Sequence, residues 1–186
     1  MTKTRILSIT AAAALLTASF TIGALTAKAA DAPSDPQIVG IVLAADQIDI
    51  DYGKIALAKS KNKAVREFAQ RMVTDHSAVQ GSVIGLAKKL GVTAADSDVS
   101  GSLKSGAVDI TAKLNSLKGK EFDKFYIDNE VSYHKAVTDA VAGVLIPNAQ
   151  NAELKSALEG AQPLFLKHLE HARLVQSGGK DKMSHM

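Results

Sequence analysis

Four stretches of this chain carry apolar residues at an alternating three- and four-residue spacing, which keeps side chains on one face of an α-helix. The first runs from Ile38 to Ile55 and the second from Val65 to Leu90. The third runs from Ile127 to Leu145 and the fourth from Leu154 to Val175. No stretch shows the period-two alternation that is typical of a strand. The sequence therefore predicts an all-α fold.

Local signals predict where the helices begin and end. Asp35-Pro36 is typical of an N-cap followed by a first-turn proline, and Asn62 is a candidate N-cap for the second helix. Gly91 suits the left-handed position that follows a helix. Pro147 is predicted to end the third helix because proline has no backbone N–H. At Pro163, inside the fourth helix, we expect a kink or an early break for the same reason.

The connections predict how the helices are arranged. Short connections join the first helix to the second and the third to the fourth, so each pair is expected to form an antiparallel hairpin. Residues 91–118 are rich in Thr, Ser, Asp and Gly and are predicted to form a long crossover, with one short helix around Val108 to Leu117. Two hairpins joined by one long crossover define a ferritin-like four-helix bundle.

The N-terminal residues have the layout of a secretory signal peptide. Lys3 and Arg5 precede an apolar run from Ile6 to about Ala27, and Ala27-Lys28-Ala29 has the small residues of a cleavage site. We expect cleavage after Ala29 or Ala30 and a periplasmic or secreted mature protein. The alternative is an uncleaved membrane anchor, because the apolar run approaches the ~20 residues that span a bilayer.

The chain is therefore predicted to have three segments. These are a signal peptide at residues 1–29, a helical bundle at residues 30–179 and a disordered tail at residues 180–186. The bundle is long enough for a single domain with its own core. No later stretch is apolar enough to span a bilayer, so no stable membrane insertion is expected after cleavage.

Composition excludes several kinds of partner and site. Of the 22 basic residues, Lys3, Arg5 and Lys28 lie in the predicted signal peptide, and the remaining 19 match the 19 acidic residues. A formally neutral bundle has no excess cationic field, so we expect no nucleic-acid binding. The chain has no cysteine, which excludes disulfides, thiolate metal sites and cysteine nucleophiles. A protein partner is left open.

Three histidines, His76, His134 and His168, occupy apolar-stripe positions on three different helices. If the stripes meet in one core, the three imidazoles point inward together. Neutral imidazole is a good ligand for zinc, copper, nickel or iron, and helical bundles build metal sites from facing helices. These histidines are therefore candidate ligands of one transition-metal ion, and the alternative is a hydrogen-bonded polar cluster without metal. Accessory ligand candidates are Asp75, Glu130, Asp49, Asp51 and His171.

Motifs for catalysis are missing from the sequence. Di-iron enzymes of the ferritin-like class place Glu-x-x-His on two helices. None of His76, His134 and His168 has a glutamate three positions earlier, so a ferroxidase or oxygenase centre is not expected. Glycine-rich phosphate loops, nucleophile elbows and His-Glu-x-x-His motifs are also absent. No catalytic residue is predicted.

The resulting functional hypothesis is an exported, non-enzymatic bundle with a binding or stress-protective role. One alternative is a metal-dependent periplasmic enzyme of the oxidoreductase type that uses the same histidines with an open coordination position. A second is a hydrogen-bonded polar cluster that only fixes helix register. A third is a structural module that self-associates through an exposed stripe.

Four segments carry a resemblance to a known family. They are Asp51 to Leu57, Val65 to His76 with its Phe-Ala-x-x-Met-Val-x-Asp-His string, Phe122 to Val137, and Pro163 to Leu169. In this order they resemble the exported ferritin-like proteins grouped as domain of unknown function 4142. The chain departs from that family's pattern by having Asp49 and Asp51 where glutamate is favoured. The resemblance implies export and a ferritin-like fold, and it implies no activity.

Overall fold

The computed structural model describes residues 32–178, and these are helical with no strand among them. The elements, in chain order, are α1 (Asp35–Lys59), α2 (Lys63–Leu90), α3 (Asp98–Ser116), α4 (Gly119–Ala140), a π-helical turn (Val141–Leu145), α5 (Ile146–Asn148) and α6 (Ala152–Gln176). The predicted all-α fold class is thus confirmed for this range. The predicted signal peptide and the predicted disordered tail lie outside the described residues.

Two of the predicted helix ends are confirmed. The Asn62 side chain accepts hydrogen bonds from the backbone N–H groups of Ala64 and Val65 and so caps α2. Gly91 follows α2 in the left-handed conformation, with φ 65°. A glycine adopts this backbone without the steric cost that a Cβ would bring.

The predicted start of α1 is wrong by one residue. Ser34 is the N-cap and Asp35 is the first helical residue. The Asp35 carboxylate instead accepts hydrogen bonds from the backbone N–H groups of Gln150 and Asn151, both at 2.9 Å. It therefore joins the start of α1 to the turn before α6 rather than capping its own helix.

The crossover contains more helix than the predicted segment from Val108 to Leu117. Helix α3 begins ten residues earlier, at Asp98, where the Ser97 side chain caps it by accepting from the backbone N–H of Ser100. Its partly buried residues Leu103, Ala107 and Ile110 pack against the same apolar cluster as the buried Leu114. Helix α3 contacts α1, so the crossover covers a face of α1.

Pro147 does not end the third helix, contrary to the prediction. The backbone widens into a π-helical turn at Val141–Leu145, where the N–H of Ile146 donates to the carbonyl of Val141. Helical backbone then continues through Pro147 to Asn148. A wider turn leaves room for the pyrrolidine ring, which in a regular α-helix clashes with the preceding turn.

Pro163 does not break α6, so the early break expected there is wrong. Helix α6 continues from Ala152 to Gln176 as one element. Pro163 and Glu159, whose carbonyl loses its helical donor, are both exposed, so water can satisfy that carbonyl. The buried residues Leu158 and Phe165 on either side hold the helix against the core.

The helices position the site between two apolar layers. Helix α1 packs on α2, α3 and α4, while α6 packs on α4 and α2. One apolar cluster includes Ile38, Val83 and Leu145. The other includes Tyr52 and Phe68. Between them along the helices lie buried polar residues: Asp46, Asp49, His76, Glu130, His134, Thr138 and His168.

A close backbone approach fixes the crossover against α1. The N–H of Ala95 donates to the carbonyl of Pro36 at 2.9 Å. A Cβ added at Gly40 would lie 2.1 Å from the carbonyl oxygen of Ala95. Only glycine fits at this contact without moving the backbone.

None of the helices described, from residue 32 to residue 178, has the length and apolarity to cross a membrane.

Candidate metal centre

The three predicted histidines come together in the buried polar layer. His76 lies on α2, His134 on α4 and His168 on α6, and their exposures are 3%, 1% and 1%. One ring nitrogen from each lies within 4.8 Å of one from each of the others. Two ligands at ~2.1 Å from one ion are at most ~4.2 Å apart, so small ring movements bring all three within reach of a single ion.

Each of the three rings is held by an oxygen on one side. Nδ1 of His76 lies 2.8 Å from Oδ1 of Asp46, and Nδ1 of His134 lies 3.1 Å from the backbone carbonyl oxygen of Glu130. Nε2 of His168 lies 2.9 Å from Oδ2 of Asp75. Carboxylate and carbonyl oxygens accept, so in each pair the ring nitrogen donates.

The opposite nitrogen of each ring has no hydrogen-bond partner. These atoms are Nε2 of His76, Nε2 of His134 and Nδ1 of His168, and all three are buried. A ring that donates through one nitrogen can ligate a metal through the other. The outer oxygen fixes the ring orientation and tautomer, which is the usual arrangement around a metal-bound histidine.

Asp49, on α1, is the carboxylate nearest to two of these nitrogens. Its Oδ2 lies 2.8 Å from Nε2 of His76 and 3.2 Å from Nε2 of His134. Neither contact has hydrogen-bond geometry, and both carboxylate oxygens of Asp49 lack a hydrogen-bond partner. The residue is completely buried. Asp49 thus presents unsatisfied anionic oxygens to the same place as the two imidazoles.

Glu130 lies beside this group on α4. It is completely buried, and neither of its carboxylate oxygens has a hydrogen-bond partner. Its Oε2 is 3.4 Å from Nδ1 of His134. Asp49, Glu130 and His134 form a second set of potential ligands whose atoms lie within 4.8 Å of one another.

Aromatic side chains enclose the cluster. The Phe165 ring stacks on His76 with 5.6 Å between centroids and 8° between planes. The rings of Phe68 and His134 pack edge to face with 6.4 Å between centroids. These rings keep water from the imidazoles, and a dry site strengthens every charge interaction within it.

Neighbouring charges raise the pKa of two of the histidines. Burial alone lowers an imidazole pKa because it disfavours the charged form. Here the nearby carboxylates together outweigh burial. Asp49 and Asp46 raise the pKa of His76 to about 9, and Asp49 and Glu130 raise that of His134 to about 10. In turn His134 and His76 hold the pKa of Asp49 well below its usual range despite burial. Without a metal, both rings are therefore in the positively charged imidazolium form at neutral pH, with a proton on each nitrogen.

The other titratable groups of the cluster shift in the opposite sense. Burial lowers the pKa of His168 to about 4, so this ring is neutral at neutral pH. Burial, together with the Asp49 charge, raises the pKa of Glu130 to about 8. Burial also raises the pKa of Asp46, against the effect of its hydrogen bond with His76. Without a metal, two imidazolium rings thus lie beside the ionised Asp49 carboxylate.

Two of the predicted accessory ligands do not reach the cluster. Asp51 is exposed, accepts from the Gln47 side chain at 2.9 Å and lies 3.8 Å from Nζ of Lys54. Residues two apart on a helix point in nearly opposite directions, so Asp49 and Asp51 cannot both face the core. His171 is half-buried and packs against the Phe68 ring at 5.2 Å between centroids. Among the predicted accessory residues, the structure brings Asp49, Glu130 and Asp75 to the site.

Sequence reasoning missed Asp46. This residue is 2% exposed and holds the His76 ring. Its signal was available, since Asp46 precedes Asp49 by three positions and both therefore lie on one helix face. Two acids on one face of an otherwise apolar helix are expensive to bury unless they have partners.

The chain matches the family described as Domain of unknown function (DUF4142) over residues 22–175, and it belongs to that family. Comparison with curated proteins and with solved structures gives no match. The family description names no activity.

Proposed function

We propose that this protein binds one transition-metal ion through His76, His134 and His168. The observation that carries the proposal is the difference between the two nitrogens of each ring. One nitrogen donates to a fixed oxygen, while the other is buried without a hydrogen-bond partner. One nitrogen of each ring also lies within 4.8 Å of one nitrogen of each other ring. Buried nitrogens without hydrogen-bond partners are costly, and a shared metal ion would satisfy them.

A cation balances the charge of this site. In the metal-free state two protons, on His76 and His134, offset the buried acids. A divalent ion brings the same charge as the two protons that it displaces. The ion also binds ring nitrogens that have no hydrogen-bond acceptor when they are protonated. Zinc and iron(II) both accept imidazole ligands at this charge.

The burial of the ligands favours binding over turnover. All three histidines are at most 3% exposed, so an ion held by them has no direct contact with solvent or with a substrate. Catalytic metal sites keep a position open for water or substrate, whereas closed sites store or hold an ion. We therefore place this protein among metal-holding modules rather than enzymes.

We further propose that the protein is exported and that its helices form a ferritin-like four-helix bundle. Support for export is the signal-peptide layout at residues 1–29, from Lys3 to Ala29. The arrangement of α1 against α2, α4 against α6, and α3 within the long connection supports two hairpins joined by a crossover. An exported bundle with a buried ion would serve as a binding or stress-protective module outside the cytoplasm.

Metal content tests the proposal directly. Purified protein is stripped with chelator, loaded with zinc, exchanged into metal-free buffer and analysed by mass spectrometry of the elements. We expect about one ion per chain. The triple variant His76→Ala, His134→Ala, His168→Ala should lose the ion. His171→Ala, one turn from His168 but against Phe68, is the matched control and should keep it.

Helix content of each variant is checked by circular dichroism so that lost binding is not confused with unfolding. If the triple variant unfolds, His168→Gln alone is used, because it removes one neutral ligand. Wild-type protein that holds no metal, and whose stability is the same with and without chelator, would contradict the proposal. It would favour a hydrogen-bonded polar core.

A further inference from the structure

We infer that Asp49 is a fourth, anionic ligand, so that the site takes a divalent cation in mixed nitrogen and oxygen coordination and discriminates against monovalent copper. This inference rests on the proposed function and deepens it. It assigns a donor atom, Oδ2 of Asp49, and a class of ion.

The distances around Oδ2 of Asp49 are those between neighbouring ligands of one metal. Two ligands at ~2.1 Å from an ion lie about 3.0 Å apart at a right angle and about 3.4 Å apart at the tetrahedral angle. Oδ2 of Asp49 lies 2.8 Å from Nε2 of His76 and 3.2 Å from Nε2 of His134. Both distances therefore match those between adjacent ligand atoms around one ion.

Among residues 32–178, the cationic groups recorded beside the Asp49 carboxylate are the His76 and His134 rings, which are themselves candidate ligands. The side chain is completely buried, and neither oxygen has a hydrogen-bond partner. The salt bridges described for residues 32–178 pair Asp49 with no lysine or arginine. A divalent ion in contact with Asp49 would neutralise this buried carboxylate in place of the two imidazolium protons.

An anionic oxygen donor determines which ions the site prefers. Carboxylate suits harder cations such as manganese(II), iron(II) and zinc, whereas monovalent copper prefers soft sulfur ligands. The charge of Asp49 also interacts more strongly with a divalent ion than with a monovalent one. Three imidazoles and one carboxylate thus favour a divalent first-row ion.

A cysteine in place of Asp49 tests the assignment by spectroscopy. Thiolate is a strong ligand of cobalt(II), which substitutes for zinc and gives a near-ultraviolet thiolate-to-cobalt charge-transfer band when bound. The chain has no cysteine, so any such band must come from the introduced residue. We expect the band in Asp49→Cys loaded with cobalt(II). The control Asp51→Cys, exposed two residues further along α1, should bind cobalt(II) without it.

Affinity gives a second readout. Asp49→Asn should weaken cobalt(II) and zinc binding by more than tenfold, and should weaken copper(I) binding much less. Two results together would overturn the inference and leave the three-histidine site intact. They are cobalt(II) binding by Asp49→Cys without the band, and wild-type affinity in Asp49→Asn. Wild-type protein that binds no cobalt(II) would instead overturn the proposed function and the inference with it.

If these variants do not fold, the crystal structure of zinc-loaded wild-type protein decides. An Asp49 oxygen within about 2.2 Å of the ion supports the assignment. An ion held by the three histidines with Asp49 beyond about 3 Å overturns it.

Discussion

Nδ1 of His76 donates to Oδ1 of Asp46 across 2.8 Å, and the two residues are thirty positions apart in the chain. Both are nearly fully buried, at 3% and 2% exposure. The bond joins α1 to α2 at the level of the candidate metal centre. It also fixes which nitrogen of His76 is free to face the other imidazoles. Asp46 therefore orients a candidate ligand without being one itself.

Removing the charge of Asp46 should weaken metal binding without abolishing it. Loss of an outer partner of a metal-bound histidine typically costs about 10–100-fold in affinity. We expect a loss of this size for zinc in Asp46→Asn, measured by competition with a chromophoric chelator, with the stoichiometry unchanged. Asp51→Asn, an exposed acid on the same helix, is the control. Equal affinities in Asp46→Asn and wild type would show that Asp46 does not support a ligand.

Metal binding should release protons at neutral pH. In the metal-free protein the pKa is about 9 for His76 and about 10 for His134, so both rings are protonated at pH 7. A ligating imidazole is neutral, so about two protons leave for each ion bound. Calorimetry in buffers of different ionisation enthalpy measures this number. Zinc binding that releases no protons would mean that the ion displaces neither ring proton.

Metal-free and zinc-loaded protein should respond oppositely to pH. Because the folded pKa values of His76 and His134 lie above the unfolded value of 6.5, their protonation stabilises the metal-free fold fully below pH 6.5. That stabilisation is lost as the pH rises through about 9 and about 10. With zinc bound the same rings are neutral, so stability is instead lost as the pH falls below about 6.5.

Chemical denaturation at several pH values, with and without chelator, checks this contrast. The chelated protein should become less stable from pH 7 towards pH 10, and the difference between the two forms should grow over this range. A metal-free protein that gains stability as the pH rises through this interval would contradict the raised pKa values.

The contact between Gly40 and Ala95 should make Gly40 intolerant of alanine. The added Cβ would lie 2.1 Å from the carbonyl oxygen of Ala95, so the crossover backbone must move away from α1. Overpacking of this kind costs typically about 1–3 kcal/mol. Gly85→Ala is the matched control, since nothing lies within 4 Å of its added Cβ. In that exposed helical position alanine should stabilise by roughly 0.5–1 kcal/mol. Equal free energies of unfolding for the two variants would argue against the close approach.

The sequence predicted the three histidines because the information lies within each helix. His76, His134 and His168 each occupy a position in an apolar stripe, and a stripe position on a packed helix is a buried one. The same rule would have separated Asp49 from Asp51, since two positions along a helix turn a side chain to the opposite face. Asp49 and Asp51 are thus alternatives, and the structure places Asp49 in the core and Asp51 in solvent.

What the sequence did not predict depends on contacts between distant segments. The spacing of Asp46 and Asp49 places both on one helix face, but the role of Asp46 follows from the position of His76 on another helix. Likewise α3 is rich in serine and glycine, so its apolar pattern is weak, and Val108, where the predicted helix begins, is 66% exposed. Its apolar positions begin at Leu103 and pack on residues far away in the chain.

The position of a bound zinc ion shows whether His76, His134 and His168 hold one metal together. Crystals of the protein loaded with zinc are measured on both sides of the zinc absorption edge, so that the anomalous difference map shows the metal alone. We expect one strong peak about 2.1 Å from Nε2 of His76, Nε2 of His134 and Nδ1 of His168. Zinc found only on surface residues, with the three rings bonded through ordered water or one another, would contradict it.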